Sequence, residues 1–312
     1  MQGFFISPYL QALMARAGVS EVYTESHELL EQMLCIDLSR TQVFRVTHQL
    51  GEQLESAQAV PVEQPPLANH EVVYGSMDGS MIQTELGWKE VKLGRVFRSS
   101  DLEGIGTKKR NRITDSIYSA CLGNCQEFLP RFEASLGAWA DNPSQLVFIT
   151  DGAEWIRNYL QENYPDATHI LDYFHAVERL GEFAKSLFKL EPGRTTWIDE
   201  QATLLKQGKV GTVLDTLKKL MPLNKTAREE RYKLITYYQN NRNRMAYDEY
   251  RKRGLMIGSG PMEAAHRTVL QARMKRSGQH WKIEGAKSMI NMRVALKSGR
   301  WQQAISPLLQ AA

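Results

Sequence analysis

The order of hydrophobic periodicities between residues 72 and 190 constrains the fold of this chain more than any other feature. Residues 72–77 form a short apolar run, 88–97 alternates through Val91, Leu93 and Val96, and a third strand falls within 112–122. A helix over 125–139 follows, with Phe128, Leu129, Phe132 and Leu136 on one face. Next come a continuous apolar strand at 146–149, a helix at 154–163, a strand at 168–171 and a helix at 173–190. Three strands, a helix, then strand, helix, strand, helix is an α/β layout with a mixed sheet.

The flanks read differently. Residues 1–55 are helical, and Ser39-Arg-Thr-Gln42 fits a capping box that opens a second helix. Val43, Val46 and Leu50 form its inward stripe, leaving Arg40, Gln42, Arg45 and Gln49 outward. Two short helices and a tight turn are consistent with a helix-turn-helix that presents Arg40 and Arg45 to a DNA groove, and equally with a plain helical hairpin. Residues 56–70 hold three prolines and no helical period, as a linker does. Beyond the α/β part at 71–190, residues 191–253 carry helical periodicities such as Val213, Leu214, Leu217 and Leu220, and read as a helical insertion. Residues 254–312 resume the α/β part with a last helix, opened by Pro261, and a basic C-terminal segment.

No run of about 18 apolar residues occurs and the first residues lack a cleavage-like end, so neither a membrane span nor a signal peptide is expected, and the expected address is cytoplasmic. Cys35, Cys121 and Cys125 give no disulfide framework and read as buried or half-buried apolar residues. The net charge of +4 is unevenly spread. From Arg251 onward 12 Lys and Arg face only Glu263 and Glu284, whereas the first 250 residues hold 27 basic and 33 acidic groups. Such asymmetry suits either a polyanion-binding segment or a solvated helix face.

Three acids stand out. Asp78 and Asp151 end strand-like runs, and Glu263 opens a helix. Carboxylates at neighbouring strand ends, with a third on a crossing helix, are suited to holding two divalent ions for phosphodiester chemistry. Each also has a plain reading: Asp151 as an N-cap with Glu154 as its partner, Asp78 as a turn residue before Gly79, Glu263 at the third position of a helix capped by Gly260. Asp172 and His175 lie where a strand passes into a helix. Asp172 either caps that helix or serves with His175 at the site. Arg267 either holds phosphate or pairs with Glu263 at i, i+4. Arg273, Lys275 and Arg276 are read as DNA contacts, and Trp281 as either a stacking platform or a core residue.

At these residues the chain resembles bacterial insertion-sequence transposases of the DDE type, in the Kra-type group related to the Mutator-like superfamily. The matching segments are Met77-Asp-Gly79, Thr150-Asp-Gly-Ala-Glu-Trp-Ile156, Ile170-Leu-Asp-Tyr-Phe-His-Ala176, Ile257-Gly-Ser-Gly-Pro-Met-Glu-Ala264 and Arg273-Met-Lys-Arg-Ser-Gly-Gln-His-Trp281. The resemblance implies a ribonuclease H-like mixed sheet with the helical insertion placed before the Glu-bearing helix. It implies a catalytic, metal-binding triad of Asp78, Asp151 and Glu263, with Asp172 and His175 as accessory residues. It also implies two Mg²⁺ ions, with Mn²⁺ as a substitute, and DNA as the partner of a homo-oligomer in the bacterial cytoplasm at the nucleoid. Transposases of this kind carry a longer N-terminal part, so a shortened copy, a separate domain or an element remnant is expected here.

Overall fold

A computed structural model describes residues 6–61, 63–105, 110–222 and 224–310. The chain opens with α1 (Pro8–Ser20), α2 (Tyr23–Leu34) and α3 (Arg40–Gln53). Strands β1 (Val73–Thr84), β2 (Gly87–Arg98), β3 (Leu102–Ile105), β4 (Arg110–Ile113) and β5 (Ile117–Cys121) follow, then α4 (Cys125–Leu136). An alternating stretch comprises β6 (Leu146–Thr150), α5 (Glu154–Asn163), β7 (Thr168–Leu171) and α6 (Tyr173–Leu187). Helices α7 (Glu191–Lys206), α8 (Val210–Lys219), α9 (Lys225–Asn241) and α10 (Tyr247–Lys252) come next, and α11 (Gly260–Ala265), α12 (Ala272–Met274), α13 (Ile283–Lys297) and α14 (Trp301–Gln310) complete the order. Antiparallel strands in one part and parallel strands in another make a mixed α/β architecture.

The chain divides into two compact units, Met1–Leu146 with Pro261–Ala312, and Val147–Gly260. In the first, β1 pairs antiparallel with β2 along its whole length, setting Asp78 opposite Leu93, and β2 pairs with β5. Strand β1 runs to Thr84, well past the expected end at 77, because Ile82 and Thr84 are buried and keep the ladder going beyond the polar residues 78–80. The two-stranded β3–β4 hairpin lay outside the sequence expectation. Helix α4 packs on β2 and β5 through Phe128 and Phe132, both fully buried.

Helices α1, α3 and α13 form the apolar heart of this unit, with Met14, Val43, Val46, Leu50, Met289 and Ile290 in one cluster. They approach so closely that a Cβ on Gly18 would meet Thr47 Oγ1 at 2.3 Å, and one on Gly51 would meet the Ser288 carbonyl oxygen at 2.4 Å. Polar groups fix the same seam. Asn291 donates to the Gly51 carbonyl at 2.9 Å and accepts from Gln58 at 2.5 Å. Buried donors with partners stabilise; buried donors without them are costly. The expected capping box at Ser39 is present: Gln42 N–H donates to Ser39 Oγ at 3.1 Å and Ser39 N–H to Gln42 Oε1 at 2.7 Å.

In the second unit β6 and β7 run parallel, joined through α5, and α6 packs on α7 and α9. The described residues between 191 and 253 are helices and their connections, as expected. Arg244 is 4% exposed and anchors the strand ends, donating to Asn241 Oδ1 at 3.1 Å and to Thr150 Oγ1. No described helix is long and apolar enough to cross a membrane.

The cysteines depart from expectation at one position. Cys121 is buried and Cys125 half-buried, but Cys35 is exposed. It caps the C-terminus of α2 in the left-handed region, at φ 52°, a turn conformation that places its side chain in solvent.

Candidate functional site

In the first unit, Asp78 sits within β1 and not at a turn. Its Oδ1 accepts from Gly79 N–H at 2.7 Å, and its Oδ2 accepts from His266 Nε2 at 3.0 Å. His266 opens a π-helical segment, His266–Gln271, that continues α11, and it is 7% exposed with its Nδ1 buried and without a described partner. A π-helical turn widens the helix and strands carbonyls, and such turns cluster at functional sites. Arg293 takes the strays: its Nε donates to the Val269 carbonyl at 2.8 Å, its Nη2 to the Thr268 carbonyl, and its Nη1 to the Val19 carbonyl at 3.1 Å. The start of α11 is held from another side by Arg95, 5% exposed, which donates to the Pro261 carbonyl at 2.6 Å and to Ser116.

Glu263 lies one helical turn before His266. Its side chain is 65% exposed and stands 3.7 Å from Arg267 Nη2, so the i, i+4 pair weighed from sequence exists. An exposed pair of this kind contributes roughly 0.3–0.5 kcal/mol. Lys275 Nζ donates to Ser80 Oγ at 2.6 Å, two residues along β1 from Asp78, and burial lowers its pKa.

In the second unit, Asp151 follows β6. It does not cap α5, whose N-cap is Ala153; its Oδ1 accepts from Ala153 N–H at 2.9 Å. Gly152, at φ 89°, makes the turn. The Asp151 carbonyl accepts from Tyr237 Oη at 2.6 Å, and burial, reinforced by the Asp151 charge, raises the Tyr237 pKa well above its usual value. Asp172 is a cap and more: 1% exposed, it accepts from Phe174 N–H at 2.6 Å, His175 N–H at 3.2 Å and Ser259 N–H at 2.7 Å. It therefore ties the Gly258-Ser-Gly260 loop to the strand end. His175 faces Glu178 on its own helix, Nδ1 to Oε2 at 3.2 Å, and orients no acid of the triad.

Among the described residues no three His, Cys, Asp or Glu side chains gather into a metal-holding group. The oxygen donors of Asp78 and Glu263 suit Mg²⁺ in kind. As placed, one carboxylate is engaged by His266 and the other by Arg267, so they do not by themselves form a metal centre.

Apart from Lys275, already placed on Ser80, the residues read as DNA contacts separate into three groups. Arg40 and Arg45 are exposed on α3 and Arg267 on the Glu263 helix, where a polyanion can reach them. Arg276 is committed to ion pairs with Glu21 Oε2 at 2.5 Å and Glu25 Oε2 at 3.0 Å. Arg273 is corrected outright, and Trp281 takes the core alternative of its two readings. Arg273 is 1% exposed, donates to the Gly18 carbonyl at 3.0 Å, and lies 4.9 Å from the ring centre of Tyr23 and 5.3 Å from that of Trp281. Trp281 is 8% exposed, its Nε1–H on the Met274 carbonyl at 3.0 Å and its backbone bridged to Gln83 and Glu85. Arg273 and Arg293 thus spend part of the C-terminal charge inside the unit.

His266, Arg95, Arg293 and Tyr237 escaped notice in the sequence. One signal was available for Arg293, a lone cation within the apolar run Met289-Ile-Asn-Met-Arg-Val294, where an internal partner is required.

The fold defines a mixed α/β protein with one acid inside a strand, one just past a strand end and a helix-borne glutamate. A family model described as "Uncharacterised protein family (UPF0236)" matches residues 6–306, and the chain belongs to that family. It is similar to the "UPF0236 protein in vanSb 3'region" of Streptococcus gallolyticus, at 19% identity over 301 residues. That alignment covers 95% of this chain and 65% of the relative, so the chain spans just under two thirds of the relative's length.

Proposed function

We propose that the chain is a DNA-processing enzyme with a ribonuclease H-like core, a transposase that cuts phosphodiesters at insertion-sequence ends and joins the freed 3′ ends to target DNA. One observation carries the reading: His266 fastens Asp78 on β1 to the helix that bears Glu263 one turn earlier, so two of the three acids stand on elements held together by a partly buried hydrogen bond. The reading further takes the protein to act as a homo-oligomer on DNA in the bacterial cytoplasm, with Mg²⁺ or Mn²⁺ required and Asp151 needed for the reaction.

A second reading has an observation of its own. Asp78 and Glu263 each already have a partner that occupies an oxygen, which suits a protein that binds DNA without cutting it.

Cleavage and strand joining on a labelled DNA end, with and without Mg²⁺ or Mn²⁺, separate the two. The enzyme reading expects metal-dependent products, reduced about a hundredfold or more in Asp78→Asn, Asp151→Asn and Glu263→Gln, a loss typical when a group stabilising transition-state charge is removed. DNA binding without products in any metal would establish the second reading instead.

A further inference from the structure

A second pocket of the first unit is left unused by that function. It has a volume of about 800 Å³ and is walled by α3, the start of α2 and the segment 279–285. Its walls are aromatic. Phe44 packs on His48 with ring centres 4.0 Å apart and on the edge of Tyr23 at 5.3 Å, and Trp281 lines the far side. Phe44 nevertheless keeps 41% of its surface exposed. The wall is also polar in a particular way. Arg273 lines it with Nη2 buried and without a hydrogen-bond partner, and His48 Nε2 is likewise buried and unpartnered. Burial, with the Arg273 charge second, pushes the His48 pKa down to about 4, so its ring is neutral near pH 7. Exposed Arg45 and Lys282 stand at the rim beside exposed Glu52 and Glu284, so that, counting Arg273, three cations face two carboxylates across the lining.

A partly exposed aromatic ring, buried polar nitrogens without partners and a lining with one net positive charge describe a receptor for a flat heterocycle that carries an anion. We propose that this pocket takes one unpaired nucleotide of a DNA strand, its base stacked on the exposed part of the Phe44 ring and its phosphate against Arg45 and Lys282. Stacking on an aromatic side chain holds any base, so the pocket distinguishes unpaired from paired strands and not one sequence from another. The wall is closely packed from behind: a Cβ on Gly285 would meet His48 Cε1 at 2.7 Å, so the glycine lets α13 back the His48 ring without displacing it. Trp281 contributes a wall and Phe44 the platform.

The inference rests on the DNA reading, and the experiment reads binding alone, with no cleavage step. Fluorescence anisotropy of the full chain with a dye-labelled oligothymidine of about a dozen nucleotides, and with a duplex of equal length, is compared across variants. Phe44→Ala is expected to weaken single-strand binding about tenfold or more while leaving duplex binding within about twofold, and Phe44→Trp to restore it. Because Phe44 is already 41% exposed, circular dichroism should show both variants folded. Unchanged single-strand affinity in Phe44→Ala, or equal losses for single strand and duplex, overturns the inference. So does competition by free thymidine monophosphate as effective as by the oligomer, which would make the pocket a mononucleotide site. A chain that binds single strands through Phe44 yet never cuts DNA leaves the pocket standing and removes the enzyme.

Discussion

Arg273 shows how much a single side chain can change in meaning between sequence and structure. In the sequence it belongs to a basic stretch with Lys275 and Arg276; in the fold it is the largest fully buried side chain. Its desolvation lowers its pKa, yet it remains a cation held by the Gly18 carbonyl and two aromatic faces. Arg273→Met is therefore expected to destabilise the fold by about 2–4 kcal/mol in urea melts, through a carbonyl left unpaired and lost ring contacts. Weakened DNA binding without loss of stability would contradict that placement. His48 makes a pH prediction. Its folded pKa, about 4, lies below the ordinary value of 6.5, so from pH 6.5 down to about 4 the unfolded chain takes up a proton that the folded one refuses. Stability is full above pH 6.5 and falls as the pH drops toward 4, and His48→Gln should flatten that slope when melts at pH 7.5 and 4.5 are compared. Neither burial was legible beforehand, because charge runs and lone histidines carry no sign of depth.

At the scale of elements the sequence spoke more clearly. Period-two alternation placed β2, apolar runs placed β6 and β7, and Ser39 with Gln42 placed the start of α3. The α3 cap is local chemistry, readable from four residues, and Ser39→Ala should cost about 1 kcal/mol of stability in thermal or urea unfolding. Helix α5 matched its expected bounds, Glu154–Asn163, while its first turn was misjudged: Asp151 bonds two residues ahead in a turn and Ala153 takes the cap position. The π-helical turn after Glu263 was not legible at all. Its sequence, His266-Arg-Thr-Val-Leu-Gln271, has ordinary helical character, and the widening is sustained from outside by Arg293, 22 residues beyond Gln271. Long-range polar contacts of this kind leave no periodic trace, which is why the acids of the candidate site were visible and His266, which holds one of them, was not.

At the scale of the whole molecule, the family assignment and the distant streptococcal relative extend along nearly the full chain, including the N-terminal helices. Those helices look separable in sequence, set off by a proline-bearing stretch. The seam they share with α13 says otherwise. Donors rooted in the last 40 residues reach back to carbonyls in the first 51: Arg273 to Gly18, Arg293 to Val19, Asn291 to Gly51. Severing the polypeptide near residue 60 would take these carbonyls from Arg273 and Asn291, leave Arg293 only its bonds to Val269 and Thr268, and uncover the flanks of α13 that α1 and α3 now shield. Neither fragment would inherit a surface that water tolerates; head and tail of this unit are a joint product of one folding event.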